Sequence, residues 1–352
     1  MATTLKELAA RAQVSITTAS IVMNDRGPER AISAGTMNRV RKAAADLNYT
    51  PNLQAKSLRT RRTHCVGLVA ALPLDTHTGR IVEGINRVCR KRDFRCVLAT
   101  IDLSDDLCKE VQATLSPDAV DGLIIIDRGL DFAAADLAEL LHAPRPTVVT
   151  GRLMEGVACC CDDFEWSGRI GTEDLYRNGY RDVLYMGIAG DAGFAAFMAG
   201  ARQSAAAAGL EIPATRCHEL PQREYPLLRP DASVALLGLL ASDRPDAIVC
   251  FGDKITYGAH RALSHAGVAM PEEIALVGYG DFEGNFMSLT PAISAIRPPL
   301  RQMGEWTANR LIDAIAEPKR ELDWPLFCAG DFTRRASSAL ARRGDSPTPE
   351  SN

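Results

Sequence analysis

The chain has 352 residues, 46% of them hydrophobic and 24% charged, which is typical of a soluble globular protein with two or three domains. No apolar run reaches the roughly 20 residues that span a bilayer, and the N-terminus lacks the apolar core of a secretory signal, so we expect a cytoplasmic protein with no membrane partner. The net charge of −4 is unevenly distributed: residues 1–64 hold 11 Lys and Arg against 4 Asp and Glu, whereas the remainder holds 29 against 40. The basic N-terminal region is therefore expected to contact a polyanion.

A helix-turn-helix pattern opens the chain. Apolar residues at i, i+3 and i+4, counted from Leu5, form one stripe of a first helix, and a short turn follows. Ser15 can N-cap a second helix over Ile16–Asn24, because its hydroxyl can accept a hydrogen bond from an otherwise unpaired backbone N–H. Ala19 and Val22 would face inward in that helix, so its polar face is free to enter the major groove of DNA.

A third helix and a short basic helix are predicted next. Ser33 can N-cap the third helix, and Asn48 can adopt the left-handed conformation that ends it. Asn52 can cap a short helix over Leu53–Arg59, which is marginal alone in water and is expected to form only when docked on DNA or on a second copy of the chain. Leu58, exposed there, can unstack a base step through the minor groove. The neighbouring side chains that would contact phosphates are Lys56, Arg59, Arg61 and Arg62.

From residue 65 onward, strand-like runs alternate with amphipathic helices, which predicts parallel sheets with helices on both faces and enough chain for two lobes. The predicted strands are Cys65–Ala71, Arg95–Ile101, Gly122–Asp127, Pro146–Gly151, Val183–Ile188, Ala247–Gly252 and Ile274–Gly280. The predicted helices are Arg80–Lys91, Phe132–Leu141, Gly168–Asn178, Phe194–Ala208, Ile255–Ala266 and Leu300–Ala316. Residues 341–352 are predicted to form a disordered tail.

Patterns typical of catalysis or metal binding are missing from the sequence. The ten cysteines include no Cys-x-x-Cys pair, and we interpret Cys159–Cys161 as part of a buried strand with free thiols. The chain has no His-Glu-x-x-His motif, no Gly-x-Ser-x-Gly motif and no phosphate-binding Gly-Lys-Ser/Thr loop. We therefore expect no enzyme activity, no cofactor and no metal.

Four segments, in this order along the chain, resemble the LacI/GalR (lactose-repressor) family of transcription regulators, namely residues 4–9, 14–20, 47–52 and 55–60. The resemblance implies a helix-turn-helix DNA-binding domain over residues 1–50, a hinge helix and linker over 51–64, and an effector-binding and dimerisation body over 65–340. That body would be periplasmic-binding-protein-like, with two lobes of parallel sheet. The resemblance also implies a homodimer on a near-palindromic double-stranded DNA operator.

The same resemblance assigns DNA contacts. Ile16, Thr17 and Ile21 occupy base-reading positions, while Leu58 occupies the intercalating position with Ala55 beside it. The further residues expected at the DNA are Thr4, Leu5, Ser15, Thr18, Ser20, Asn24, Tyr49, Asn52, Lys56 and Arg59. The family usually has Arg at the position of Ile21. An apolar side chain there cannot make the bidentate contact to guanine, but it can touch a thymine methyl group.

The resemblance further implies a ligand between lobes formed by residues 65–162 with 293–325 and by residues 163–292, joined by three crossings. In such folds, ligands lie beyond the carboxyl ends of strands. This points to the stretches 72–79, 127–129, 190–197, 251–253 and 278–282. The candidate effector-binding residues are His77, Thr78, Arg128, Phe197, Asp253, Asp281 and Arg297.

Several of these candidates depart from the family pattern. Phe197 replaces an Arg that holds the sugar in many relatives, so it could stack on a ligand or plug the cleft. Asp253 could instead cap a helix, and Arg297 could be a structural charge. The segment 280–283 together with Arg297 is similar to members that sense gluconate-type sugar acids. Arg128 could bind an anion or form a salt bridge between the lobes.

We therefore expect a repressor whose operator affinity is altered by a small-molecule effector, a sugar or a sugar acid. One alternative is a DNA-binding regulator whose body responds to a protein partner. A second alternative is a metabolic enzyme or solute-binding protein that carries an accessory N-terminal region.

Overall fold

The computed structural model describes residues 3–23, 27–49, 62–72, 74–102, 106–127, 139–141, 145–153, 157–221, 230–317 and 325–339. The chain divides into two compact units, Met1–Thr63 and His64–Asn352. The predicted hinge helix, the greater part of the predicted helix over Phe132–Leu141 and the predicted tail lie outside the described residues.

Within its described residues, the first unit contains three α-helices, α1 (Leu5–Ala12), α2 (Ile16–Met23) and α3 (Ala34–Asp46). Side chains of all three contribute to one small apolar core, in which Leu8 and Val40 are fully buried. Val22 and five alanines complete this buried set, and larger side chains such as Leu5 and Tyr49 pack against it partly buried.

Hydrogen bonds between residues close in sequence set the ends of these helices. The Ser15 hydroxyl accepts the Thr18 N–H at 3.0 Å, which confirms the predicted cap of α2. The Ser33 hydroxyl accepts the Thr36 N–H at 3.3 Å, which confirms the predicted cap of α3. Asn48 has a φ of 47°, the left-handed conformation expected after that helix.

The second unit contains two six-stranded sheets, one in each lobe. The lobe 1 sheet is wholly parallel, in the order β11-β5-β4-β3-β1-β2. Its strands are β1 (Cys65–Ala71), β2 (Arg95–Ile101), β3 (Gly122–Ile126), β4 (Thr147–Thr150), β5 (Cys159–Asp162) and β11 (Leu326–Cys328). Hydrophobic clusters cover both faces of this sheet, as a parallel sheet requires.

The lobe 2 sheet has the order β12-β10-β9-β8-β6-β7, and β12 is antiparallel to β10. Its strands are β6 (Val183–Ile188), β7 (Cys217–Leu220), β8 (Ala247–Phe251), β9 (Ala275–Tyr279), β10 (Ser294–Arg297) and β12 (Asp331–Thr333). All seven predicted strands of the body occur, with bounds within one residue at each end. The prediction omitted β7 and the strands contributed after residue 292.

Helices cover the two sheets. Lobe 1 carries α4 (Thr76–Lys91), α5 (Leu107–Thr114) and α10 (Leu300–Ala316), and lobe 2 carries α6 (Phe164–Arg177), α7 (Ala192–Ala207), α8 (Pro230–Ser242) and α9 (Asp253–His265). Both α4 and α6 begin four residues earlier than predicted. The reason is an aspartate cap: Asp75 accepts the Thr78 N–H at 3.0 Å, and Asp163 accepts the Trp166 N–H at 2.8 Å.

Each lobe contains one helix pair that crosses at glycine. In lobe 1, a Cβ atom at Gly84 would lie 2.0 Å from the Arg301 carbonyl oxygen, so α4 and α10 touch backbone to backbone. In lobe 2, a Cβ at Gly168 would lie 1.9 Å from the Phe197 carbonyl oxygen, where α6 meets α7. These contacts leave no room for a side chain at either glycine.

The chain passes between the lobes three times, but the predicted lobe boundaries are corrected. The crossings lie between β5 and α6, between β10 and α10, and between β11 and β12. Strand β10 pairs with β9 in the lobe 2 sheet, with Ser294 opposite Val277, so lobe 1 resumes only at α10. Lobe 1 then extends to Cys328, three residues beyond the predicted end.

The interpretation of Cys159–Cys161 as a buried strand with free thiols is confirmed, because all three lie in β5 and are buried without disulfides. Among the described residues, no group of His, Cys, Asp and Glu side chains is placed to hold a metal ion. In the same part of the chain, every helix is too short or too polar to cross a bilayer.

Candidate functional site

The outward face of α2 is the candidate nucleic-acid surface. Ile16 is 50% exposed although it is a large apolar residue, and Thr17 beside it is also exposed. Ser20 and Ile21, one turn further along, are half-buried. The predicted base-reading residues therefore share one accessible helix face, beginning at the N-terminal turn where such helices approach base edges.

Other predicted DNA contacts have structural roles in the first unit. Thr4 caps α1, since its hydroxyl accepts the Glu7 N–H at 3.3 Å and the Glu7 carboxylate accepts the Thr4 N–H at 2.7 Å. Leu5 and Tyr49 pack against the core, and burial raises the pKa of Tyr49. Six further predicted contacts lie outside the described residues, namely Asn24, Asn52, Ala55, Lys56, Leu58 and Arg59.

A cleft of about 920 Å³ lies between the lobes of the second unit. It is bounded by the carboxyl ends of strands from both sheets and by the first turns of the helices that follow them. Its lobe 1 side includes Asp75, His77, Arg152, Asp162, Leu300 and Met303. Its lobe 2 side includes Phe164, Trp166, Arg169, Asp191, Phe251, Tyr279 and Phe282.

Aromatic rings form the lobe 2 wall. Phe251 and Tyr279, at the ends of β8 and β9, are stacked with ring centroids 4.6 Å apart and an interplanar angle of 14°. Phe164 packs against both rings, at 5.7 and 6.0 Å. Phe197 lies behind them, fully buried, with its ring 5.3 Å from that of Phe251. Phe197 is not among the cleft-lining residues, because it fills the core beneath the wall.

Asp162 is a buried carboxyl group at the cleft. It ends β5, is 3% exposed, and accepts a hydrogen bond from the Tyr279 hydroxyl of lobe 2. Its Oδ1 atom is buried without a hydrogen-bond partner among the described residues. Burial raises the pKa of Asp162 to about 7, against the opposing effect of the Tyr279 hydrogen bond. The cleft thus contains a carboxyl group that can take up a proton or a hydrogen-bond donor near neutral pH.

Arg152 and Arg169, the two arginines that line the cleft among the described residues, are already engaged. Arg152 donates to Asp127, at 3.3 Å, and Asp127 is completely buried. Arg169 lies over the ring of Trp166, with its guanidinium carbon 4.4 Å from the centroid. The Trp166 indole N–H donates to the Gly330 carbonyl at 3.1 Å, so the ring presents its face rather than its polar edge.

Two contacts join the lobes at the N-terminus of α4. The Thr76 hydroxyl donates to the Glu283 carboxylate across the cleft. His77, one of the predicted effector residues, lines the cleft and meets Phe282 edge-to-face, with centroids 5.2 Å apart. Phe282 also packs on the apolar core of lobe 1. These contacts hold the lobes together at one side of the cleft.

Four other predicted effector residues lie away from the cleft lining. Thr78 is buried in the first turn of α4, which corrects the predicted loop at that point. The Asp253 carboxylate accepts the N–H groups of Asp281 and Phe282, at 2.6 and 3.4 Å, and burial raises its pKa to about 6. Arg297 is exposed at the end of β10.

Asp281 is one of those four, and its environment explains its position. Its carboxylate pairs with the Arg335 guanidinium at 2.6 Å and accepts the Phe286 N–H at 3.0 Å. Both members of the ion pair are buried, with side-chain exposures of 0% and 10%. Asp281 therefore stabilises the loop that follows β9. The seventh predicted residue, Arg128, lies outside the described residues.

Comparison with known proteins gives two matching family models. Residues 4–52 match the bacterial regulatory proteins of the lacI family, and residues 172–338 match the periplasmic binding protein-like domain. The HTH-type transcriptional repressor PurR of Klebsiella pneumoniae (strain 342) is 26% identical over 323 residues, which cover 90% of this chain and 92% of the relative.

Two solved structures are also similar over most of the chain. The lac repressor dimer bound to operator and the anti-inducer ONPF has a TM-score of 0.75 at 21% identity, covering 97% of this chain and 100% of that one. The complex of the transcriptional regulator CelR with cellobiose has a TM-score of 0.66 at 27% identity, covering 95% of this chain and 99% of that one.

Proposed function

The chain belongs to the LacI family of bacterial transcriptional regulators, and on that premise we propose that it is a homodimeric repressor controlled by a small effector bound between its lobes. The operator would be a near-palindromic DNA duplex, with the α2 helix of each copy in a major groove. The observation that carries the effector proposal is the cleft, whose two walls belong to different lobes and whose Asp162 has one oxygen without a hydrogen-bond partner in the described part of the chain.

A ligand in this cleft would change the relation between the lobes. It would displace or reinforce the Thr76–Glu283 and His77–Phe282 contacts, which join the same two lobes. Lobe 1 begins at His64, whose N–H donates to the Asp121 carboxylate at 2.9 Å, so the start of the second unit moves with that lobe. The effector can alter operator affinity only by its differential affinity for the two lobe arrangements.

For the class of effector, we propose a sugar, and the lining residues favour a neutral sugar over a sugar acid. A sugar ring can stack on the Phe251 and Tyr279 wall, and a hydroxyl can donate to Asp162. A carboxylate would need a cation, but of the arginines that line the cleft in the described part of the chain, Arg152 is paired and Arg169 lies on Trp166. The solved complex of CelR with cellobiose supports the same class.

Operator selection tests the proposal. Random duplex DNA is incubated with the full chain at fixed, modest ionic strength, and the selected duplex is titrated again with a panel of neutral sugars, sugar acids and sugar phosphates. We expect a selected site with twofold symmetry and a changed affinity with one neutral sugar. No preference for any duplex over competitor, under any addition, would contradict the proposed function.

A variant at Asp162 distinguishes the two parts of the proposal, operator binding and effector binding. Asp162→Ala should retain operator binding, because Asp162 lies in the cleft, but lose at least tenfold in effector affinity with the loss of a hydrogen bond to a charged acceptor. The matched control is Asp118→Ala, a change at an exposed surface position. If no metabolite shifts the melting temperature while a pull-down yields a protein ligand for the body, the alternative of a protein-responsive regulator replaces the small-effector proposal.

A further inference from the structure

The side chains of α2 have an unusual chemistry for a helix that reads DNA. Its eight residues are Ile, Thr, Thr, Ala, Ser, Ile, Val and Met, so none is charged and none carries an amide. Guanine is read in the major groove chiefly by Arg or Lys, and adenine by Asn or Gln. The helix itself therefore lacks the groups that make the commonest bidentate contacts with either purine.

Two of its nearby hydroxyls are also engaged within the protein. The Ser15 hydroxyl accepts the Thr18 N–H at 3.0 Å and lies 2.8 Å from the Thr18 hydroxyl oxygen. This pair completes the N-terminal cap of α2 and leaves Ile16 and Thr17 as the exposed side chains of its first turn. What the helix offers to a base edge is mainly apolar.

Ile16 shows most clearly that the exposed face of α2 is apolar. It is 50% exposed, and among the described residues it is the single isoleucine that is exposed rather than buried or half-buried. It makes no contribution to the core of the first unit. Ile21 lies one turn along the helix from Thr17, at i+4, and is half-buried. A stripe of methyl and methylene groups therefore follows the accessible face of α2.

We propose that α2 reads its operator half-site through the C5-methyl groups of thymine, with Ile16 and Ile21 as the contacting residues and Thr17 between them. Thymine is the natural base that presents an apolar group in the major groove, and apolar side chains recognise that group. The proposal rests on the proposed function and deepens it, since it names the chemical feature of the duplex that this repressor selects.

Uracil substitution tests the proposal without changing the protein. Deoxyuridine replaces thymine one position at a time in the selected operator, symmetrically in both half-sites, which removes only the methyl group. Because one buried methyl is equivalent to about fourfold in affinity, a symmetric pair should weaken binding by about tenfold or more. Affinity is measured at one salt concentration, since phosphate contacts are salt-dependent.

Two variants assign the contacts. On Ile16→Ala, the uracil effect at one position of the half-site should vanish, while it persists at the position contacted by Ile21; Ile21→Ala should show the reverse. The matched control is Lys42→Ala, an exposed residue on α3, which should keep both uracil effects whatever its own effect on affinity. Circular dichroism of each variant monitors its folding, and the wild-type uracil series stands independently of that result.

The outcomes are distinguishable. Sequence-specific binding that tolerates uracil at every thymine of both half-sites overturns methyl recognition and leaves the proposed function intact. Uracil effects that persist unchanged on both isoleucine variants overturn the assignment to α2. Absence of any preferred duplex overturns the proposed function, and methyl recognition with it.

Discussion

The two lobes contain sheets of equivalent strand order, but they meet the cleft with different chemistry. Lobe 2 presents stacked aromatic rings, and the charged groups behind them are satisfied within the lobe: Asp281 by Arg335, and Asp253 by two backbone N–H groups. Lobe 1 presents Asp162, with one oxygen that lacks a partner among the described residues. The fold therefore already supplies partners to these two lobe 2 carboxylates, whereas the second oxygen of Asp162 can take up a proton or a ligand donor.

Breaking the buried Asp281–Arg335 ion pair of lobe 2 should lower the free energy of unfolding more than the other changes considered below. Asp281→Ala would leave the Arg335 guanidinium, only 10% exposed, without its carboxylate, and we expect the free energy of unfolding to fall by about 3–5 kcal/mol. Urea unfolding of the full chain measures it. The control is Arg177→Ala, which removes an exposed pair with Glu173 and should cost about 0.5 kcal/mol or less. Equal losses in the two variants would contradict the distinction drawn for lobe 2.

A side chain added at the helix-crossing glycine should destabilise the two lobes to a similar extent. Gly84→Ala in lobe 1 and Gly168→Ala in lobe 2 both force a Cβ atom against backbone carbonyl oxygen, so each should lose about 1–3 kcal/mol. Gly79→Ala is the matched control, because it lies in α4 with open space around it and should gain about 0.5–1 kcal/mol. Unfolding that differs strongly between Gly84→Ala and Gly168→Ala would show that the scaffolds, and not only their cleft faces, are unequal.

The unsatisfied carboxyl of lobe 1 should produce a pH dependence of stability. The pKa of Asp162 is about 7 in the folded chain and near 3.8 ordinarily, so the folded state retains a proton that the unfolded state has released. Stability should therefore fall as the pH rises from about 4 to about 7, by at most about 4 kcal/mol from this group.

Asp162→Asn removes that titration. Above pH 7 the variant should unfold at a higher temperature than the parent chain, and the difference should shrink as the pH falls toward 4, because the parent carboxyl is then also neutral. Paired melting curves at pH 8 and pH 5 measure it. A temperature difference that is the same at both pH values would contradict the role given to the buried carboxyl.

The smallest change in stability is expected for the contact between Thr76 of lobe 1 and Glu283 of lobe 2. Thr76→Val removes the hydroxyl that donates to Glu283, an exposed contact, so we expect a loss of about 0.5 kcal/mol and a higher proportion of open lobes. Small-angle scattering without effector should give a larger radius of gyration. Thr114→Val, at the exposed end of α5, is the control. Identical scattering from both variants would show that this contact does not set the lobe arrangement.

The sequence predicted the features that depend on near neighbours. Ser15, Ser33 and Asn48 act on backbone within a few residues, so a local pattern was sufficient. Seven strands of the body were equally visible, because each is a short apolar run between polar turns. Helix α8 was not predicted: its apolar residues occur on all sides, so no helical period stands out against a generally apolar segment.

The cleft could not be predicted in the same way. Asp162 obtains its chemistry from Tyr279, which is 117 positions away in sequence, and from the burial that both lobes create. Phe197 was singled out as a replaced sugar contact, but its position beneath Phe251 depends on how α7 packs on the sheet. The allocation of β10 to lobe 2 likewise depends on pairing with β9, which its own four residues do not encode.

The short segment that holds β11 and β12 affects how the protein can be synthesised. These strands form an edge of the lobe 1 sheet and an edge of the lobe 2 sheet, and only two residues, Ala329 and Gly330, separate them. Neither sheet is complete until this segment has left the ribosome, whereas the N-terminal three-helix unit emerges first and contains its own core. The N-terminal unit of a nascent chain can thus fold before either sheet of the second unit is complete.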